Sequence, residues 1–235
     1  MSDPTFSGFG KDAFKFLRAL KFHANREWFL ENKALYESDV KNPLGDLAES
    51  AGKACETAGL PFRGSRKTSP FRIYRDVRFS KDKNPYKTNA SAVLSRDATK
   101  KDAGGIYMHF EPDNCFLASG LWFPPSPQLK ALREQIVARS NDFLRIEADL
   151  KKAGLEFGTE HMLTRLPNAF KNEENADVQR LLKYKMFIVS KPFEENRAFS
   201  LDFIDDVVSF GKTVLPLMNF VWRATDTLRE EDGNA

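Results

Sequence analysis

The chain has 235 residues and a formal net charge of +3, with 41% hydrophobic and 29% charged residues. This hydrophobic fraction excludes an intrinsically disordered chain, and 13 glycines and 12 prolines are ordinary numbers for a globular protein. A chain of this length buries about 70% of its surface on folding, which supports one sizeable core or at most two small ones. We predict a single domain over residues 1–235.

The N-terminal quarter of the chain has the apolar spacing of helices, over residues 9–59. Asn25 is placed to cap one of these helices, with Trp28 among its apolar positions. Asn42 followed by Pro43 begins another, which ends at Gly59.

The centre of the chain, residues 68–123, changes to the alternating pattern of strands. Phe71–Phe79 alternates apolar and polar residues, and Ala90–Leu94 is a second candidate strand. Pro112-Asp113-Asn114 has the composition of a turn, so the apolar segments on either side of it predict a hairpin.

Residues 126–228 return to helical spacing, beginning at Ser126-Pro127. Met186–Val189 is a short apolar run that suggests an edge strand, and Pro216 is expected to interrupt the last helix. Residues 229–235 are expected to be a frayed tail. This order predicts an α+β fold in which the central segment forms an antiparallel sheet packed against N-terminal and C-terminal helices.

The cysteine content favours a reduced, cytoplasmic chain. Cys55 and Cys115 form no C-x-x-C pair, although a single disulfide between them stays an alternative. No apolar run approaches 18 residues, and the first residues lack the pattern of a signal peptide, so we expect no contact with a membrane. Three histidines and two cysteines offer few ligands for a metal site built from these residue types, and we predict neither a metal nor a cofactor.

The positive charge is concentrated in residues 63–101. This basic stretch contains 12 basic and 3 acidic residues, a local charge of +9, whereas the rest of the chain carries −6. Such an excess attracts a phosphate, a carboxylate or a nucleic-acid backbone. The alternative is a solvated, lysine-rich loop.

The most distinctive part of this stretch is Arg75–Thr88, where the predicted strand runs into a polar turn. Arginine side chains bind planar oxyanions in a bidentate manner, and lysines supply mobile charge. The candidate ligand-binding residues here are Arg72, Arg78, Lys81, Lys83 and Lys87. Asp76 would lie between Arg72 and Arg78, either as part of an ion-pair ladder or to orient the arginines for a ligand.

Other parts of the chain offer secondary candidates. Asn25 and Arg26 begin a predicted helix, whose N-terminus favours anions, and Arg133 follows on a later helix. His109 and Glu111 share the polar face of a predicted strand with Tyr107. The weak candidates for proton transfer are His109, Tyr86, Asp76 and Glu111.

Several segments together resemble one family nearly end to end, the domain of unknown function 2461. The segments are Asn25–Phe29, Arg75–Thr88, Gly120–Pro124 followed by Leu129 and Arg133, and Leu163–Phe170. The chain departs from the family pattern at His23-Ala24 and at Asn168-Ala169. The resemblance implies a compact intracellular α+β domain and assigns no reaction, cofactor or catalytic residue.

Three functions therefore stay open, in this order. The first is a protein that binds a small phosphorylated or carboxylated anion, with enzymatic activity left undecided. The second is a nucleic-acid-binding module that uses residues 63–101, with Tyr74 and Tyr86 for stacking. The third is a protein–protein interaction domain whose basic stretch meets an acidic partner or the acidic tail of another copy. The sequence does not determine the oligomeric state.

Overall fold

The structure is a computed structural model that describes residues 5–23, 25–78 and 83–232. The N-terminal elements are α1 (Lys11–Phe22), α2 (Arg26–Glu31), α3 (Lys33–Leu35), a π-helical stretch (Tyr36–Lys41) and α4 (Asn42–Thr57). They are followed by β1 (Ala90–Leu94), β2 (Ile106–Phe110), β3 (Cys115–Leu121), α5 (Ser126–Ala138) and α6 (Ser140–Lys152). The last elements are α7 (Ala176–Leu182), β4 (Phe187–Phe193) and α8 (Phe203–Asp232), with 3-10 helices at Asn168–Phe170 and Glu195–Phe199.

The strands form one four-stranded antiparallel sheet in the order β1-β2-β3-β4, with β1 and β4 at its ends. β1 and β2 pair so that Ser91 lies opposite His109 and Val93 opposite Tyr107. Since side chains alternate along a strand, the intervening residues share the other face. These are Ala90, Ala92, Leu94, Ile106, Met108 and Phe110, none of them more than 6% exposed. The predicted α+β class is confirmed.

The chain divides into two compact units. Unit 1 contains Met1–Asp102, Ile106–Leu117 and Pro192–Gly211, and unit 2 contains Ala103–Gly105, Ala118–Lys191 and Lys212–Ala235. In unit 1, α4 buries Leu47, Ala48 and Ala51 completely. In unit 2, the Phe143 ring meets Phe187 and Phe220 at centroid distances of 5.8 and 5.0 Å. Much of the phenylalanine content is therefore core material.

Several local predictions are confirmed. Asn25 caps α2, and its Oδ1 accepts a hydrogen bond from the Trp28 backbone N–H at 2.9 Å. β1 has the predicted bounds, and Asp113 turns the hairpin between β2 and β3 at a φ of 65°. β4 begins within the apolar run around residue 187 and lies at a sheet edge.

The predicted strand at Phe71–Phe79 is wrong for its described part, residues 71–78, which form no regular strand. The backbone makes only isolated bridges there, from Pro70 to Ala92 and from Tyr74 to Tyr86. Proline at positions 70 and 85 removes backbone donors, which breaks the ladder into single bridges. The alternation of burial survives locally, because Ile73 is buried while its two neighbours are exposed.

The predicted interruption at Pro216 is also wrong, because α8 continues through it. Proline removes one backbone hydrogen bond from a helix interior. Pro216 lies on the exposed side, and Val214, Leu217 and Met218 on the other side are completely buried. Their packing outweighs the lost hydrogen bond.

Within the described ranges, no helix has both the length and the apolar character needed to cross a membrane. The same residues contain no cluster of three or more His, Cys, Asp or Glu side chains placed to hold a metal ion.

Candidate anion-binding site

Much of the charge on the basic stretch is neutralised in the fold. Among the described residues, four of its arginines face carboxylates: Arg63 with Glu56, Arg66 with Asp46, Arg78 with Asp76, and Arg96 with Asp102. Three of these acids lie outside residues 63–101, which is why the local count of +9 overstates the free charge.

Three other cations of the stretch lie together, and we call Arg72, Lys87 and Lys100 the cationic cluster. The Nζ atoms of Lys87 and Lys100 lie 5.5 and 5.3 Å from the centroid of the Phe71 ring. The pKa of each lysine is lowered, first by burial and then by the positive charge of Arg72. In the described part of the chain, none of the three forms an ion pair with a carboxylate.

Backbone bonds hold this cluster beside the sheet. Phe71 N–H donates to the Ser91 carbonyl of β1 at 2.8 Å, and Lys87 N–H donates to the Ile73 carbonyl at 2.8 Å. The Lys100 ammonium donates to the carbonyls of Thr68 and Pro70. Arg72 and Lys100 are exposed and Lys87 is half-buried, so an anion can approach from solvent.

Beside the cluster, a set of hydrogen-bonded side chains lies on the polar face of the sheet. We call Thr88, Tyr107, His109, Glu111 and Asn114 the His109 network. Tyr107 Oη lies 2.9 Å from His109 Nδ1, and His109 Nε2 lies 3.5 Å from Glu111 Oε2. Thr88 Oγ1 donates to Glu111 Oε1 at 2.6 Å, and Asn114 Nδ2 donates to Oε2 at 3.2 Å. The imidazole also stacks on the Phe116 ring at 4.5 Å.

The protonation of this network follows from its surroundings. Burial lowers the pKa of His109, although Glu111 opposes the shift. Burial pushes the pKa of Glu111 up, but the hydrogen bonds from Thr88, Asn114 and His109 outweigh it, and the net pKa is lowered. Burial raises the pKa of Tyr107. A protonated Tyr107 therefore donates to Nδ1 of a neutral imidazole, which assigns the ring proton to Nε2, facing Glu111.

The cluster and the network adjoin each other. The Phe71 ring, which lies under two of the cations, meets the Tyr107 ring edge-on at 5.8 Å. Thr88 of the network directly follows Lys87 of the cluster in the chain. Together they form one candidate site in unit 1, with positive charge at one end and an acid–base pair at the other.

The structure places the other block candidates elsewhere or in other roles. The Arg78 guanidinium is paired with Asp76, and this pair is exposed. The Lys83 ammonium donates to the Val77 carbonyl at 3.1 Å. Lys81 lies outside the described residues.

The remaining candidates are structural in their contacts. Asn25 caps α2. Burial raises the pKa of Tyr86, and the positive charge of Arg26 partly offsets that rise. Tyr86 is only 3% exposed and stacks on Phe29 at 4.2 Å. Arg133 lies in unit 2, where it donates to the Tyr184 carbonyl.

The sequence pattern does not single out Phe71, Lys100, Thr88 or Asn114 as site residues. By sequence, Lys100 is one member of the basic stretch, and its spacing gives no sign that its side chain returns to the Phe71 ring. The alternation of the predicted strand places Tyr107, His109 and Glu111 on one face, and the structure brings them into one network.

Comparison with known protein families gives a match over most of the chain. The family model described as conserved hypothetical protein (DUF2461) matches residues 12–220. The chain belongs to this family. No curated protein and no solved structure matches it. The family match covers both the cationic cluster and the His109 network, and its description carries no activity.

Proposed function

We propose that this protein binds a small phosphorylated or carboxylated anion at the cationic cluster. One contrast carries the proposal: four arginines of the basic stretch have carboxylate partners, whereas Arg72, Lys87 and Lys100 have none among the described residues. Lys87 and Lys100 lie over one aromatic ring and are repelled by Arg72, so an anion that the three cations share would stabilise them.

The His109 network would act on the bound anion by holding or moving a proton. Neutral His109 accepts a hydrogen bond at Nδ1 from Tyr107, and Glu111 stabilises the imidazolium that forms when Nδ1 takes up a proton. This arrangement supports an acid–base role next to the anion, within the same proposal.

The nucleic-acid alternative ranks below this proposal because stacking surface is scarce. The Phe71 ring has two ammonium groups over it, and Tyr86 is buried. Among the described aromatic residues of the basic stretch, Tyr74, at 55% exposure, is the most available to stack on a base. An acidic protein partner would use the same exposed cations, and it ranks lower because it does not explain why Lys87 and Lys100 lie over the Phe71 ring. The proposal also places the protein in the cytoplasm, in keeping with its two free, buried cysteines.

The test is calorimetric titration with inorganic phosphate at low ionic strength. We expect Lys87→Met and Arg72→Met each to weaken phosphate binding by about tenfold, since each removes one charge-assisted bond. The matched controls are Lys67→Met, an exposed lysine of the same stretch, and Arg78→Ala, whose partner is Asp76. Unchanged affinity in Lys87→Met and Arg72→Met, or equal losses in the controls, would reject the proposal.

A further inference from the structure

Unit 2 contains a buried arginine that has no carboxylate partner among the residues that the structure describes. Arg133 lies on α5 beside the completely buried Leu132, and the whole residue is only 8% exposed. Its Nη2 donates to the Tyr184 carbonyl at 2.8 Å. Its Nε atom is buried and has no hydrogen-bond partner among the described residues. Buried cations are normally paired, because an unpaired one loses its hydration without compensation.

A second arginine in the same unit has a carboxylate partner that compensates its charge. Arg180 on α7 donates two parallel hydrogen bonds to Glu147, at 2.8 and 2.6 Å. Its pKa is raised mainly by that carboxylate, whereas burial alone lowers the pKa of Arg133. Unit 2 therefore supplies a carboxylate for Arg180, and the described residues supply none for Arg133.

An exposed aromatic pair belongs to the same part of unit 2. Trp122 and Phe123 are 65% and 47% exposed, and their rings meet edge-to-face at 5.0 Å. Phe123 has a φ of 35°, a left-handed conformation that costs energy for an aromatic residue and is found preferentially at binding sites.

Contacts connect this pair to Arg133. The Phe123 ring lies 5.0 Å from the His161 ring, and the next residue, Met162, forms a β-bridge with Tyr184. The Tyr184 carbonyl is the group that Arg133 binds. The Met162–Tyr184 bridge thus joins the segment that Phe123 contacts at His161 to the residue whose carbonyl Arg133 binds.

We infer that unit 2 binds a small organic acid with an aromatic or aliphatic body. Its carboxylate pairs with Arg133, because a guanidinium offers parallel N–H groups that match two carboxylate oxygens. Its apolar body covers Trp122 and Phe123. This site uses no residue of the cationic cluster, and it stands or falls independently of the function proposed above.

The test uses benzoate as the probe, measured by titration calorimetry on the full chain. Benzamide keeps the ring without the charge, and acetate keeps the charge without the ring. We expect benzoate to bind at least about tenfold more tightly than either, since each analogue loses one of the two contacts. Equal affinity for benzoate and benzamide would overturn the inference.

Variants separate a ligand-binding role from a structural one. Arg133→Met and Arg133→Lys should abolish the preference for benzoate, while Arg139→Met, which removes an exposed arginine just after α5, should retain it. Arg133→Met should unfold at the same temperature as the wild type or higher, because it removes an uncompensated buried charge. Trp122→Ala changes an exposed residue and tests the site even where Arg133→Met folds poorly. Benzoate binding unaffected by Trp122→Ala, together with a large loss of thermal stability in Arg133→Met, would assign Arg133 to structure alone.

Discussion

Lys87 and Arg63 belong to the same basic stretch of sequence, yet their surroundings give them different roles. Arg63 pairs with the Glu56 carboxylate and donates a hydrogen bond to the Leu60 carbonyl, so its side chain stabilises the local fold. Lys87 lies over an aromatic ring and beside two further cations. Sequence alone could not separate the two, because the acids that neutralise Arg63, Arg66 and Arg96 lie outside the stretch and at no common spacing from their arginines. Charge counts identify a stretch, and only the fold shows which of its members stay free.

His109 makes the stability of the protein depend on pH in a defined window. Its pKa in the folded state is lowered below the ordinary 6.5, so the unfolded state binds more protons just below that pH. The resulting stability is complete above pH 6.5 and is lost as the pH falls from there through the folded pKa. We expect urea unfolding of the wild type to lose more free energy between pH 7.5 and 5.5 than unfolding of His109→Gln.

Glu111 titrates at a lower pH than His109, because its pKa in the folded state lies below the ordinary 4.5. The stability that Glu111 contributes is therefore lost only as the pH falls below 4.5. The two groups are therefore distinguishable in one pH series. Parallel pH profiles for the wild type and His109→Gln above pH 5.5 would show that burial of His109 does not favour its neutral form.

The thiols of the two cysteines should be unreactive in the native protein. Burial raises the pKa of both Cys55 and Cys115 to about 11, and neither residue is more than 5% exposed. Thiolates are the reactive species, and few form at neutral pH under these conditions. A thiol reagent such as dithionitrobenzoate should therefore modify both cysteines in urea and neither in buffer. Rapid labelling of the native protein would contradict this burial.

At the scale of elements, the sequence pattern predicts the structure correctly where the hydrogen bonds join residues that are close together in the chain. The α2 cap, the β2–β3 turn and the period of β1 all follow from residues within a few positions of each other. The irregular segment around residues 71–78 did not follow, because its pairing depends on prolines and on partners in β1 and around residue 86. The continuation of α8 through Pro216 did not follow either, because it depends on the complete burial of Val214, Leu217 and Met218, which the local pattern does not show.

The contact between α4 and the segment that leads to the cationic cluster depends on two glycines. A Cβ built on Gly52 would lie 2.3 Å from the Gly64 backbone nitrogen, and one built on Gly64 would lie 1.8 Å from the Ala48 carbonyl oxygen. Alanine within a helix is normally favoured over glycine by about 0.5–1 kcal/mol. Here we expect Gly52→Ala to destabilise the protein by about 1–3 kcal/mol in urea unfolding, because the clash is with backbone.

Gly45→Ala is the matched control for this change, since Gly45 lies in the same helix and its added Cβ would make only an ordinary contact, 3.5 Å from the Arg66 Cβ. It should not destabilise the protein, because alanine within a helix is favoured over glycine by about 0.5–1 kcal/mol. A stabilised Gly52→Ala protein would mean that α4 and residues 63–64 lie further apart than described. Phosphate binding should weaken together with stability, because residues 63–70 lead directly into Phe71 and Arg72.

At the scale of the whole molecule, the net charge of +3 conceals two different electrostatic situations. Unit 1 holds the cationic cluster, with Lys87 and Lys100 over the Phe71 ring, and unit 2 holds the buried Arg133. The composition could indicate the first, because many basic residues lie close together in the sequence. It could not indicate the second, because a lone arginine in a helix looks the same whether or not a carboxylate faces it.

Hydrogen exchange with two probes tests both assignments in one experiment. A ligand that binds only the folded state slows the opening of the region that it contacts. Phosphate should protect backbone amides around Phe71 and Lys87, and benzoate should protect those around Phe123 and Tyr184. Lys87→Met should remove the first effect and keep the second, and Arg133→Lys should do the reverse. Protection by phosphate that survives in Lys87→Met but disappears in Arg133→Lys would show that the two anions compete for Arg133, and the cationic cluster would then not be the phosphate site.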